Sequence, residues 1–184
     1  MRTVVRSAAL IAFSVACGYA KLILFPYLFF VELFSVAVFL SGALSGVVWG
    51  IWIGAVARLL FSIGNPYGPP HPWVLGAQVI GGGVIGAIGG LSGRRLLPRA
   101  GRGEAGPKVR TAILLAAGLV ATLAYDLVTN VAQGIVFGSI PVTLAAAALP
   151  TLQHVASNVA IFVVLGNVAF PWLSRHPAVT GRAV

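Results

Sequence analysis

The chain has 184 residues, of which 59% are hydrophobic and only 8% are charged. A water-soluble domain carries roughly 25% charged residues, so this composition does not cover a water-facing surface. The apolar runs are continuous and approach the about 20 residues that a helix needs to cross hydrocarbon, whereas the strands of a membrane barrel alternate polar and apolar residues. The composition therefore predicts an all-α integral membrane protein.

The basic residues are concentrated in three places along the chain. They lie at the N-terminus, in the hydrophilic stretch 94–110 and in the tail 175–184, and they dominate the formal net charge of +9. Because cytoplasmic segments of membrane proteins hold such charges, we interpret the excess as a topology signal and expect no nucleic-acid partner. An even number of spans puts all three regions in the cytoplasm, whereas five spans would separate the two termini.

The N-terminal segment also resembles a signal peptide, because Arg2 and Arg6 precede an apolar run. Ser14–Cys17 comes near a lipoprotein cleavage box, but Ser14 stands where a larger aliphatic residue is expected. We therefore expect residues 3–20 to be retained as a first helix. Cys17 is the single cysteine of the chain, which excludes an internal disulfide and a cysteine-based metal site.

The apolar runs predict six transmembrane helices in one domain, residues 1–184, with both termini in the cytoplasm. The helices are expected at 3–20, 27–40, 44–63, 73–96, 110–137 and 150–173. The predicted connections are a tight turn near Ser41–Ala43, a proline-rich loop at 64–72, a basic cytoplasmic loop at 94–110, and an apolar loop or partial helix at 138–149. Pro150 suits a first helical position, and the tail 175–184 is expected to be flexible.

Small residues recur every fourth position in three of the helices. Such spacing lines one helix face and lets two helices approach closely. For the glycines we expect tight packing inside the monomer; for the alanines of the first helix, internal packing and docking of another protein's helix are both open. The glycines are Gly42, Gly46, Gly50 and Gly54, then Gly82, Gly86 and Gly90; the alanines are Ala8, Ala12 and Ala16.

The strongly polar residues of the spans fall in the outer half of the predicted bundle or near its mid-depth. Polar groups are costly in hydrocarbon and mark a pathway or a site, so eight of them on five helices predict a water-accessible cavity that opens outward. They are Glu32, Arg58, Gln78, Asp126, Asn130, Gln133, His154 and Asn158.

The sequence alone also allows these residues to have purely structural roles instead of lining a cavity. Glu32 and Arg58 suit an ion pair, since an unpaired buried charge is expensive. Asp126 and Asn130 suit bonds to a neighbouring helix end, and His154 suits a buried imidazole with satisfied hydrogen bonds. Arg58 would hold an anionic group of a ligand only if Glu32 does not neutralise it.

Motifs for catalysis are absent from the sequence. There is no His-Glu-x-x-His, no Gly-x-Ser-x-Gly, no aspartate pair at metal spacing and no P-loop, so we expect no metal, no cofactor and no catalytic residue. Asp126 and His154 together suit acid–base chemistry, but no nucleophile accompanies them. A membrane-embedded enzyme or assembly factor that uses these two residues is the alternative function.

The chain resembles the substrate-binding S components of energy-coupling factor (ECF) vitamin transporters over nearly its whole length. The resemblance combines the small size and six predicted spans with four sequence features. These are Ala8-x-x-x-Ala12-x-x-x-Ala16 in the first helix, Phe25-Pro26…Val31-Glu32 before the second, Gly42/Gly46/Gly50, and Tyr125-Asp126-Leu127-Val128-Thr129-Asn130 in the fifth.

This resemblance implies a binding subunit without enzymatic activity, in a bacterial or archaeal cytoplasmic membrane. It implies a vitamin or related micronutrient bound near the outer face, beneath loops 21–26, 64–72 and 138–149. It also implies that the alanine face of the first helix docks on a transmembrane T subunit, and that two cytoplasmic ATPase subunits drive import. The pocket motifs do not match those of the thiamine, riboflavin or biotin subunits, so the substrate is open.

The outward cavity and the resemblance together define a set of expected substrate-binding residues. Tyr67 and Trp73, from the third connection, are expected to close the pocket. The full set is Glu32, Arg58, Asn65, Tyr67, Trp73, Gln78, Asp126, Asn130, His154 and Asn158.

Overall fold

A computed structural model describes residues 2–24, 32–98 and 105–176, apart from the side chain of Arg2. These residues form six α-helices and no strand, which confirms the all-α prediction for the described ranges. Residues 25–31 of the family resemblance, residues 99–104 of the basic loop and the tail beyond residue 176 lie outside them. The helices are α1 (Arg2–Leu24), α2 (Leu33–Ser45), α3 (Val47–Ile63), α4 (Pro72–Leu96), α5 (Pro107–Val136) and α6 (Ile140–Arg175).

Four of the six helices are long and apolar enough to cross a membrane. They are α1, α4, α5 and α6, with 22 to 36 residues each in the apolar segment. The other two, α2 and α3, are apolar but shorter, with 13 and 17 residues. The protein is therefore a membrane-embedded helical bundle, as the composition predicts.

The turn predicted near Ser41–Ala43 is wrong, because α2 continues to Ser45. The Ser41 hydroxyl donates to the Ala37 carbonyl within the helix. The chain reverses instead at Gly46, whose φ of 84° lies in the left-handed region that a residue with a Cβ adopts only at a cost.

The start predicted for the sixth helix is also wrong. Pro150 lies inside α6, which already begins at Ile140, so the partial helix at 138–149 is confirmed and the apolar loop is not. The segment 144–149 is made of alanine and leucine, the strongest helix formers. Membrane helices tolerate an internal proline because neighbouring groups satisfy the freed backbone, so Pro150 does not have to start a helix.

The core of the bundle surrounds α2. Nine of the 13 residues of this helix are buried, as expected for a helix that is apolar on all sides. The ring of Phe39 packs against Phe162 of α6 at 5.0 Å and lies 6.2 Å from Phe170. These contacts tie α2 to the far side of the bundle.

The two glycine ladders pack against each other, as predicted. A Cβ on Gly86 would overlap the carbonyl oxygen of Gly50, and a Cβ on Gly54 would overlap that of Gly82. A Cβ on Gly42 of α2 would likewise overlap the Gly86 carbonyl. Backbone therefore touches backbone where α4 crosses α2 and α3, and no larger residue fits at these points.

Basic residues gather at one end of the bundle. The helices α1 and α5 start at this end, and α2, α4 and α6 end there. The Arg6 guanidinium of α1 donates to the Leu44 carbonyl near the end of α2 at 3.1 Å, and Arg110 of α5 donates to Asn167 of α6 at 2.9 Å. The end of α4 lies beside the end of α2. We call this the basic end; it holds Arg6, Arg94, Arg95, Lys108, Arg110 and Arg175.

The first helix packs on α2 and α3 through its serine side. Ser7, Ser14 and Gly18 are buried, and the Ser14 hydroxyl lies 3.4 Å from that of Ser41. The alanine stripe turns away from this contact and is exposed, so internal packing of the stripe is wrong for this chain. The exposed stripe, called the alanine face below, is Ala8, Ala12 and Ala16.

Gly86→Ala is expected to destabilise the bundle, because the added methyl has no space between α4 and α3. Overpacking of this kind costs about 1–3 kcal/mol. The midpoint of thermal unfolding in detergent should fall. The matched control in the same helix is Gly76→Ala, since a Cβ at Gly76 meets nothing within 4 Å. Equal midpoints for the two variants would contradict the glycine contact.

Candidate functional site

The end of the bundle opposite the basic end contains an open cavity of about 240 Å³ between the start of α2 and the α5–α6 pair. Two of the three acidic residues of the chain lie in its wall, in a bundle that is otherwise almost free of charge. The lining residues are Glu32, Asp126, Asn130, Ala147, Pro150, Thr151 and His154. Four predicted site residues are thereby brought together from three helices.

Helical spacing places the polar side chains of α5 and α6 on facing surfaces. Asp126 and Asn130 are one turn apart on α5, and Thr151, His154 and Asn158 follow one face of α6. The imidazole Nδ1 of His154 lies 2.8 and 3.0 Å from the two carboxylate oxygens of Asp126. The Asn130 amide lies 3.4 Å from the Thr151 hydroxyl. Two polar contacts therefore join the two helices at the cavity.

Asn158 lies behind His154 and forms a hydrogen bond with its imidazole. Its amide nitrogen lies 2.9 Å from Nε2 of His154 and 3.3 Å from the Thr122 hydroxyl. An amide N–H donates, so Nε2 accepts, and the proton of a neutral imidazole is on Nδ1, facing Asp126. The Asn158 side chain is 1% exposed, and its carbonyl oxygen has no partner among the described residues.

Arg58 packs against aromatic rings and does not line the cavity. Its guanidinium carbon lies 4.2 Å from the ring centre of Phe34 and 4.5 Å from that of Tyr125, and the residue is 3% exposed. Arginine is favoured in such stacks because its planar guanidinium is weakly hydrated. The Tyr125 ring reaches this position because α4 presents Gly81 there, where a Cβ would overlap the ring.

Glu32 connects this buried cation to the cavity. Its Oε2 lies 3.5 Å from Nη2 of Arg58 and 3.9 Å from Nε2 of His154, and it accepts a hydrogen bond from the Ser35 hydroxyl. The glutamate side chain is 23% exposed. Glu32 and Arg58 thus form the ion pair that was one of the two alternatives from the sequence. Because Glu32 neutralises Arg58, the arginine is not available to hold an anionic group of a ligand.

The remaining predicted residues lie away from the cavity lining. Gln78 of α4 accepts from the Ser62 hydroxyl of α3 at 2.7 Å. The Asn65 side chain accepts from the backbone N–H of Tyr67, which closes a local turn. Tyr67 and Trp73 are 83% and 65% exposed, so in this conformation neither ring covers the cavity.

Several residues of the site were not singled out by the sequence. Thr151 follows from helical spacing, because it precedes His154 by three residues on the same face of α6. Phe34 has no such signal, and Tyr125 is identified from the sequence only as part of the family motif, since their contact with Arg58 depends on how α2 and α5 cross α3. Ala147 and Pro150 line the cavity because α6 begins ten residues earlier than predicted.

Asp126 and His154 are the groups of the site that suit acid–base chemistry. The Asp126–His154 bond has the geometry of an acid–base pair, but Nε2 of His154, the position that would face a substrate proton, is taken by Asn158. The Ser157 hydroxyl donates to the His154 carbonyl instead of facing the imidazole. Among the described residues, no group of three His, Cys, Asp or Glu side chains is arranged to hold a metal ion.

Comparison with known proteins adds no assignment. No protein-family model, no curated protein and no solved structure matches the chain. The interpretation of the site therefore rests on its own geometry.

Arg58→Met is expected to destabilise the protein by about 3–5 kcal/mol, because it leaves the Glu32 carboxylate without its cation. Adding Glu32→Gln should recover part of this loss, since the double variant removes both charges. The measurement is a double-mutant cycle on unfolding in detergent. Arg94→Met, at an exposed arginine of the basic end, should change stability by no more than about 0.5 kcal/mol. Strict additivity of the two site variants would mean that Glu32 and Arg58 do not interact.

Proposed function

We propose that the chain is the substrate-binding S component of an ECF-type importer, and that its cavity binds a vitamin or related micronutrient. The observation that carries this proposal is the convergence of Glu32, Asp126, Asn130 and His154 on one open cavity in an otherwise apolar bundle. Polar groups in a membrane helix are expensive and are retained for a purpose. A non-catalytic subunit of this kind needs directional contacts and no nucleophile, as the cavity provides.

The proposed topology has six crossings in a bacterial or archaeal cytoplasmic membrane, with both termini inside. The clustering of arginines at the basic end supports this orientation, because positive residues remain on the cytoplasmic side. The cavity, at the opposite end, then opens to the exterior. An importer must collect its substrate from that side.

The proposed partners are a transmembrane T subunit and two cytoplasmic ATPase subunits. The alanine face supports a docked helix, since small side chains let two helices approach closely in lipid. It is exposed along about two and a half turns of α1.

The purified protein is expected to carry a small water-soluble compound that native mass spectrometry detects. Asn130→Ala should weaken retention of this compound by about tenfold, because one lost hydrogen bond is worth about 1 kcal/mol and its unpaired partner adds to the cost. Asn158→Ala should also weaken retention, through loss of the bond that orients His154. Gln78→Ala, at a residue outside the cavity, is the control. Full retention by both asparagine variants would place the binding site elsewhere.

Ala12→Trp is expected to abolish association with the ATP-binding subunits while retention of the small compound is unchanged. The indole would separate the alanine face from a docked helix without reaching the cavity. Co-purification from the native membrane measures the first effect, and native mass spectrometry measures the second. The control is Leu119→Trp, at an exposed apolar position of α5. Undiminished association of the Ala12 variant would exclude this face as the partner surface.

The alternative is a membrane-embedded enzyme or assembly factor that uses Asp126 and His154. The 2.8 Å bond between their side chains is the observation in its favour. Such a protein needs no ATPase partner. Isolation of the native chain with or without ATP-binding subunits therefore separates the two functions.

A further inference from the structure

We propose that the ligand of the cavity is a small organic cation, bound between the carboxylates of Glu32 and Asp126. This inference rests on the proposed binding function and adds the charge of the substrate to it. The resemblance to vitamin transporters leaves that charge open, and the position of Arg58 in the sequence would suggest the opposite sign.

The first argument is the position of the permanent cation. Arg58 is 3% exposed, with the rings of Phe34 and Tyr125 packed against its guanidinium and Glu32 beside Nη2. It is absent from the cavity lining. A ligand carboxylate or phosphate would therefore meet the Glu32 carboxylate before it reached the arginine.

The second argument is the charge balance of the site. Glu32 and Asp126 supply two negative charges, and Arg58 supplies one positive charge. When the Asn158 amide nitrogen faces Nε2, His154 is neutral, and one negative charge is left over in a low-dielectric bundle, where an unbalanced charge is costly. A bound cation removes this excess, and a bound anion doubles it.

The third argument is the hydrogen-bonding character of the lining. The two carboxylates only accept hydrogen bonds, and the Thr151 hydroxyl and Asn130 carbonyl add further acceptors. The wall therefore offers more acceptors than donors, which matches a ligand with several N–H groups. Charge-assisted bonds from such a ligand are about twice as strong as neutral ones.

The volume of the cavity limits the size of the group that it accepts. At about 240 Å³ it is smaller than the roughly 300–1,000 Å³ typical of drug-sized sites. It therefore fits a single ring with a charged substituent, or the charged end of a longer molecule.

Benzamidinium, benzamide and benzoate test the inference, because they share one shape and carry charges of +1, 0 and −1. Their dissociation constants for the purified full-length protein are measured by ligand-detected NMR and by competition with the compound that co-purifies. We expect benzamidinium to bind at least about tenfold more tightly than benzamide, with benzoate the weakest. Asp126→Asn and Glu32→Gln should each reduce or remove the difference between benzamidinium and benzamide.

Lys108→Gln removes a charge at the basic end and serves as the control; it should keep the wild-type order. The comparison among the three probes needs only the wild-type protein, so it remains decisive if a site variant fails to fold. Equal affinities, no binding by any probe, or a preference for benzoate would overturn the inference. If the chain associates with ATP-binding subunits but prefers benzoate, the proposed function stands and the cationic ligand is wrong. If the chain binds benzamidinium but associates with no such subunits, the cationic ligand stands and the proposed function is wrong.

Discussion

The pairing of Arg58 with Glu32 is the interaction on which the rest of the site depends. A guanidinium inside an apolar bundle is tolerated only when its charge is matched and its faces are covered. Glu32 supplies the charge from α2, while Phe34 and Tyr125 cover the faces from α2 and α5. Two helices, α2 and α5, are thereby fixed around one side chain of α3. The carboxylate is held where it also forms one wall of the cavity, so the residue that balances Arg58 is also a lining residue.

This pairing is possible because glycines let α4 approach its neighbours at backbone distance. Gly86 and Gly82 touch the backbone of α3, and Gly81 on the same helix leaves room for the Tyr125 ring. A bulkier α4 would push α5 outward and remove one face of the arginine stack. The ladder of small residues and the polar cluster, which are separate patterns in the sequence, are therefore two parts of one packing arrangement.

The sequence predicted the class of fold and the main side chains of the cavity, but not the contacts between them. Asp126, Asn130 and His154 were found because polar residues at helical spacing are conspicuous in an apolar chain. The stack on Arg58 was missed because it depends on crossings between helices, which spacing along one helix does not report. Depth and loop position alone assigned four further residues, Gln78, Asn65, Tyr67 and Trp73, to the site. Two of these bond to local partners instead: Gln78 accepts from Ser62, and Asn65 accepts from the Tyr67 backbone. Whether residues 138–149 form a loop or a helix was not decided, because a proline suits the first turn of a helix and is also tolerated inside a membrane helix.

A site that binds a cation must also exist without one, and Asn158 offers a way to meet this requirement. In the described orientation its amide nitrogen faces His154, which keeps the imidazole neutral and leaves the carboxylates in excess. The buried amide oxygen has no partner among the described residues, so turning the amide by half a circle would bring that oxygen to Nε2 and favour a protonated imidazole. A proton on His154 would then supply the positive charge that a bound cation otherwise supplies. Under the cation proposal, the proton and the ligand balance the same excess negative charge, and each would oppose the binding of the other.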